Sequence, residues 1–289
     1  MEQKLHINWY PGHMKKTKEL LQSNLKLVDT IIEVVDARVP KSSKNPDIDR
    51  LAAGKSRVLV LNKEDLADAT TTAKWKKYYE QKDYIVVMFN ATGNAGADKI
   101  TSAINQAFLP TKEKLEKKGM IARAPRVMIV GIPNSGKSTL INKLSGKKST
   151  QTGDRPGVTK GKQWVRMRGN LEMLDTPGIL WPKFEDDQVS LMLAFTGAIK
   201  DDILNIEEIG FEFIRFMQKN YFENLKERYD LKNAQDAETI ELMNEIASNR
   251  GFLSKGKDID YLRTAKTVLG EFRSGQLGKI TLEQPDEAL

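Results

Sequence analysis

Gly131-Ile132-Pro133-Asn134-Ser135-Gly136-Lys137-Ser138-Thr139 is the stretch on which the fold turns. It follows the apolar, β-branched run 126–130 and opens a segment, 137–144, whose apolar residues recur at helical spacing. Glycines here let backbone N–H groups wrap an anion, and a helix starting at Lys137 adds the positive end of its dipole. Lys137 can reach the outer phosphates of a nucleotide, and Ser138 offers a hydroxyl to Mg²⁺. Pro133, Asn134, Ser135, Gly136 and Thr139 complete the cradle. So many matched positions between a strand and a helix leave little room for a chance glycine-rich turn. The stretch reads as a phosphate-binding P-loop.

Downstream, Asp175-Thr176-Pro177-Gly178 ends another strand-like run. A carboxylate there can hold Mg²⁺ through water, and the Gly178 N–H can approach a γ-phosphate. Between the two motifs lies Arg155-Pro156-Gly157-Val158-Thr159, whose Thr159 can complete the metal shell. A P-loop serves ATP and GTP alike, so base choice must come from elsewhere. Asn62-Lys63-Glu64-Asp65 follows the run 57–61. Asp65 can accept hydrogen bonds from N1–H and N2–H₂ of guanine, a donor pair that adenine lacks. Asn62 can tie this loop to the P-loop, and the stem of Lys63 can lie over the base. A second loop, Asn90-Ala91-Thr92, ends the next strand, and the Ala91 N–H can meet guanine O6. The guanine motifs therefore precede the phosphate motifs, the reverse of the conventional GTPase order. Circular permutation preserves contacts while moving the termini.

Short apolar runs at 30–35, 57–61, 85–89, 126–130, 163–168 and 171–174 predict six strands, and 14–28, 72–81, 97–108 and 137–144 predict helices between them. This alternation indicates an α/β fold with a mostly parallel sheet flanked by helices, and Gly169-Asn170 makes the last strand pair an antiparallel hairpin. The lysine-rich segment 110–125, bounded by prolines, reads as the connector joining the old ends of the permuted chain. Beyond Pro182 the strand signal stops. Apolar residues then recur at helical spacing, with Asn205 and Asp260 at N-cap positions and Gly251 at a helix stop. The expected division is a GTPase domain over 1–184 and a small all-helical domain over 185–289.

Of the net charge of +7, residues 1–182 carry +14 and residues 183–289 carry −7. A basic region invites a polyanion, nucleotide or nucleic acid. In the C-terminal part only residues 250–279 are locally basic, with seven Lys and Arg against three Asp and Glu. Zero cysteines exclude disulfides and thiolate-bound zinc. No apolar run reaches membrane-spanning length and no secretory signal pattern is evident, so the expectation is a cytoplasmic protein, monomeric by default, with no membrane partner.

The motif order resembles that of the circularly permuted GTPases, and the full set is similar to the ribosome biogenesis GTPase A (YlqF-type) family. The resemblance rests on Asn8-Trp9-Tyr10-Pro11-Gly12-His13-Met14-Lys15, on Asp36-Ala37-Arg38, and on the motifs quoted above. It implies a permuted P-loop GTPase domain followed by helices that contact rRNA. It further implies a factor in late assembly of the large ribosomal subunit, binding immature subunits in the GTP state and leaving after hydrolysis. Ile179 and Leu180 follow Gly178, and neither can orient water as the glutamine of many GTPases does. The resemblance places His13 near the γ-phosphate, where a neutral imidazole can orient or deprotonate water. Lys137, Thr159 and Gly178 complete the catalytic set. Asn134 is the position at which similar GTPases bind K⁺ beside the phosphates. Asp36 and Arg38 can link the strand end to the switch regions, either as a buried structural ion pair or through direct catalysis. The alternative function is a nucleotide-gated rRNA-binding scaffold in which hydrolysis is incidental.

Overall fold

The computed structural model describes residues 14–90, 93, 96–121, 123–145, 164–174, 187–232, 234–254, 256 and 258–285. Six strands form one sheet: β1 (Thr30–Asp36), β2 (Ser56–Asn62), β3 (Ile85–Phe89), β4 (Arg126–Val130), β5 (Trp164–Met167) and β6 (Leu171–Leu174), in the order β3-β2-β1-β4-β6-β5. All pairings are parallel except β5 with β6, which the Gly169-Asn170 turn makes antiparallel. The strands are apolar on both faces because both are covered. Ile32, Val34, Val58, Val60, Val127 and Ile129 pack with α4 (Ala97–Lys117) and α5 (Lys137–Ser145). On the other face, Ile31, Met128 and Val130 meet α1 (Met14–Leu25) and α2 (Pro46–Leu51), while Leu59 and Leu61 meet α3 (Ala69–Glu80).

Two readings of the chain change. The expected connector over 110–125 is in large part helix, because α4 continues through Pro110 to Lys117. Proline removes one backbone hydrogen bond there, but the residue whose carbonyl loses it, Gln106, is exposed like Leu109 and Pro110, so water can serve that carbonyl. The helix stops where glycine permits it. Gly119, at φ +70°, donates to Glu116 O while Met120 donates to Leu115 O. In addition, α2 was not anticipated, although its start is written locally: Asn45 caps the Asp47 N–H and Pro46 occupies the first turn.

After residue 186 the described chain is helical: α6 (Asp187–Phe195), α7 (Ile206–Asn220), α8 (Phe222–Tyr229), α9 (Thr239–Asn249) and α10 (Tyr261–Arg273). Asn205 and Asp260 cap α7 and α10 as expected. Phe195, Phe213 and Phe272 form the aromatic centre of this bundle, with ring centroids 4.8 to 5.1 Å apart. Val39, from the loop after β1, is part of the same core. The C-terminal strap 277–285 returns to the sheet: Ile280 N donates to Leu66 O at 3.1 Å, Leu282 N to Arg38 O at 2.7 Å, and Trp75 Nε1 to Glu283 O at 3.0 Å.

Candidate active site

Because β1 to β4 run in one direction, their C-terminal ends share one edge. Strand order reverses beside β1, with β2 and β3 on one side and β4 on the other, and open α/β sheets bind ligands at such a crevice. Asp36 ends β1 opposite Asn62 at the end of β2, Asn90 follows β3, and Gly131 follows β4. Among the described residues, the motifs read separately from the sequence thus lie along one edge.

The guanine motif and the P-loop touch. Asn62 Nδ2 donates to Ser135 O at 2.7 Å, across 73 positions of sequence, and both residues are buried. Their closeness requires glycine. A Cβ on Gly136 would sit 2.0 Å from Asn62 Nδ2, and one on Gly131 would sit 2.4 Å from Val34 O. Ser135 Oγ donates to Ile132 O at 2.9 Å, closing the turn from inside, and Asn134 holds the left-handed conformation at φ +58°. Pro133 is half-buried, whereas Ser138 and Thr139 are exposed on the first turn of α5. Lys137 Nζ donates to Ile132 O at 2.5 Å, and burial lowers its pKa to about 8.

Asp65 lies in a short 3-10 turn, Glu64–Leu66, and its half-exposed carboxylate accepts no hydrogen bond from a described residue. Lys63, in the left-handed region at φ +62°, places its ammonium 2.8 Å from Asp36 Oδ2. Burial alone would raise the Asp36 carboxyl, but Arg38 and Lys63 beside it hold it well below the usual carboxylate range. Arg38 is almost fully buried. Its Nε and Nη2 donate to Asp36 at 3.0 and 2.8 Å, and its guanidinium lies over the Phe272 ring of α10. Asp36 and Arg38 form a buried ion pair, and Arg38 also reaches the helical region.

At the second guanine loop, Asn90 Oδ1 accepts from Gly93 N at 3.1 Å. Lys143 of α5 donates to Asn90 O at 3.2 Å and also to Gly93 O. No local sequence signal marked Lys143, because its contact spans about fifty positions. His13, Ala91, Thr92, Thr159, Asp175 and Gly178 lie outside the described residues.

For Mg²⁺ the local chemistry fits. Ser138 presents a hard hydroxyl oxygen beside Lys137 at the helix start. Among the described residues no group of three or more His, Cys, Asp or Glu forms a cage of its own. Asn134 Nδ2 donates to Gly197 O at 2.6 Å, and its Oδ1 accepts from no described residue.

Residues 126–245 match the model of a family described as 50S ribosome-binding GTPase. That match begins at β4 and includes the P-loop but not Asn62 or Asp65, as expected when the guanine motif comes first. The ribosome biogenesis GTPase A of Bacillus cereus is 49% identical over 97% of this chain and 95% of its own length. The chain belongs to the ribosome biogenesis GTPase A family. It is a GTPase of ribosome biogenesis. The same family's protein in Thermotoga maritima is 31% identical over 97% of this chain and 95% of that one. The crystal structure of GNP-bound YlqF from T. maritima covers 94% of this chain and 100% of that chain, at 28% identity and a TM-score of 0.64. Together with the strand order, this likeness establishes a P-loop GTPase fold followed by C-terminal helices. Family membership brings GTP and GDP as ligands and ribosome association, and GTPases of this kind generally use Mg²⁺. Among the described residues no helix is long and apolar enough to cross a membrane.

Proposed function

We propose that this GTPase is an assembly switch for the large ribosomal subunit, engaging immature subunits with GTP bound and leaving after hydrolysis. The observation that carries the nucleotide half of this reading is the bond from Asn62 to Ser135, which joins base recognition to phosphate binding in one site. The partner half rests on the family, whose matching model is described as 50S ribosome-binding.

In this reading residues 1–184 form the permuted GTPase domain and 185–289 the helical domain that contacts rRNA. Asp65 reads guanine N1–H and N2–H₂, helped by Asn62, Lys63 and the Asn90-Ala91-Thr92 loop. Residues 133–139 and Gly178 cradle the phosphates. Ser138, Thr159 and Asp175 would hold Mg²⁺, which would neutralise charge on the phosphate oxygens. Asn134 Oδ1 would contribute to holding K⁺, which would counter negative charge on the phosphates. Lys137 counters charge developing on the γ-phosphoryl, Thr159 and Gly178 contact that group, and His13 orients the attacking water. Within the basic segment, Arg250 and Arg273 are committed to Glu271 and Asp201, so exposed Arg263, Lys266 and Lys279 are the better phosphate contacts. The protein works in the cytoplasm.

Sedimentation with immature and mature large subunits, with a GTP analogue against GDP, tests the switch. Expected is nucleotide-dependent binding to immature particles, with His13→Ala binding GTP but staying on them. Equal binding in both nucleotide states would refute it.

A further inference from the structure

Arg273, the last residue of α10, has partners that in turn reach both nucleotide loops. Its Nε donates to Phe195 O at 2.9 Å and its Nη2 to Ala194 O at 2.8 Å, capping the C-terminus of α6 with a cation. Its Nη1 and Nη2 also grip the Asp201 carboxylate at 2.8 and 2.9 Å. The turn held in this way contains Gly197, whose carbonyl accepts from Asn134 of the P-loop at 2.6 Å. Space there is tight: a Cβ on Gly197 would lie 3.2 Å from Arg273 Nε. Ile132 of the P-loop packs against Leu193, Ala198 and Ile199 around the same turn.

The opposite arm starts from the backbone of Arg273. Its carbonyl, like that of Phe272, accepts from Arg38 Nη1 at 3.4 Å. Arg38 is locked to Asp36, and Asp36 holds Lys63 of the guanine motif. One helix end therefore braces the P-loop through Gly197 and the guanine loop through Arg38. Moreover, α6 is the first described element after Gly178, so the helix capped by Arg273 continues the chain from the third nucleotide motif.

We propose that Arg273 is a positioning residue for GTP: from the helical region it fixes Asn134 and, with it, the spacing of the phosphate and guanine loops. The proposal rests on the assignment of those loops to GTP. Its planar guanidinium fork serves four acceptor atoms at once, which an ammonium cannot reproduce.

The test uses the full chain and a fluorescent GTP analogue, reading Kd alongside the unfolding midpoint. Arg273→Ala is expected to weaken binding about tenfold, the equivalent of one lost hydrogen-bonding arm, with Arg273→Lys giving little rescue. In an Asn134→Ala background the same substitution is expected to change Kd by less than about twofold, because its route to the P-loop is already cut. A purely structural role predicts a lower midpoint with Kd unchanged in the folded chain, or full additivity with Asn134→Ala, and either overturns the proposal. Should Arg273→Ala not fold, Asp201→Asn decides: weaker binding supports the brace, and unchanged Kd overturns it. Asp65→Asn runs in parallel. If it leaves preference for guanine over xanthine nucleotide intact, the loop assignment itself fails, whereas a switched preference with an inert Arg273 removes only this inference.

Discussion

GTP affinity should fall steeply on the alkaline side of pH 8, and the cause is Lys137. Its ammonium is largely withdrawn from water, and its described hydrogen-bond partner is the neutral carbonyl of Ile132, so burial lowers its pKa to about 8. Phosphates arriving beside it supply the missing negative charge and restore the proton. The sign follows from linkage: the complex holds a proton that the free protein loses as pH rises, so binding weakens with pH. With a free pKa of about 8 and an ordinary lysine value of about 10.4 in the complex, affinity falls about tenfold between pH 7 and pH 9. At pH 8 binding should take up about half a proton. Calorimetry in buffers of different ionisation enthalpy measures that uptake directly, and the titrations also give Kd. Lys137→Ala should bind weakly with no uptake. A flat wild-type affinity from pH 7 to 9, with no proton exchanged, would refute the reasoning.

Asn62→Ala leaves Ser135 O buried without its side-chain donor and should weaken GTP binding by about 1–3 kcal/mol, roughly five- to 150-fold, as measured by fluorescence titration. Asp36→Asn strands the buried Arg38 guanidinium and should cost about 3–5 kcal/mol in urea unfolding. By contrast, Glu80→Gln, at the exposed Lys76 pair, should cost under about 1 kcal/mol. The Asp36 contribution is present above the ordinary carboxylate pKa and disappears as acid protonates the folded form, since Arg38 and Lys63 outweigh burial and depress that pKa. Glu33 has the opposite sign: burial raises its carboxyl to about 6, and Oε2 has no hydrogen-bond partner. Glu33→Gln should therefore stabilise the chain at pH 7 by about 1–2 kcal/mol, with the gain vanishing near pH 4; a pH-independent difference would refute it.

What the sequence revealed was whatever a short window could encode. The P-loop carries its geometry in nine consecutive residues, and the strands announce themselves because both faces are buried. Even the bond between Asn62 and the P-loop was legible, because two motifs that serve one nucleotide must meet. The brace behind them was not. Gly197 and Lys143 act through backbone carbonyls, as does half of the Arg273 fork, and a carbonyl has no letter of its own in the sequence. The strap at 277–285 escaped partly for the same reason, since two of its bonds run backbone to backbone, to Leu66 and Arg38, and the Glu283 carboxylate reaches Lys41 and Ser42 across about 240 positions. Pro110 misled in the other direction. As a letter it signals a break, but its cost is small where the helix runs beyond the core.

The rotated motif order gives this arrangement a mechanical meaning. In the conventional order the guanine loop follows the phosphate motifs, and the chain after Gly178 must return to the sheet. Here the sheet is already complete, so the chain passes into α6 and the helices. A ligand can shift a conformational equilibrium only by its differential affinity for the two states. A tenfold preference corresponds to about 1.4 kcal/mol. That is the scale of one hydrogen bond such as Asn134 to Gly197, so a switch acting through this small interface needs no large rearrangement of the sheet. The bundle core around Phe195, Phe213 and Phe272 is tightly packed and also takes in Val39 from the loop after β1, so strain at either is felt by both. Nucleotide state would then reach the helical surface through the turn that Arg273 holds.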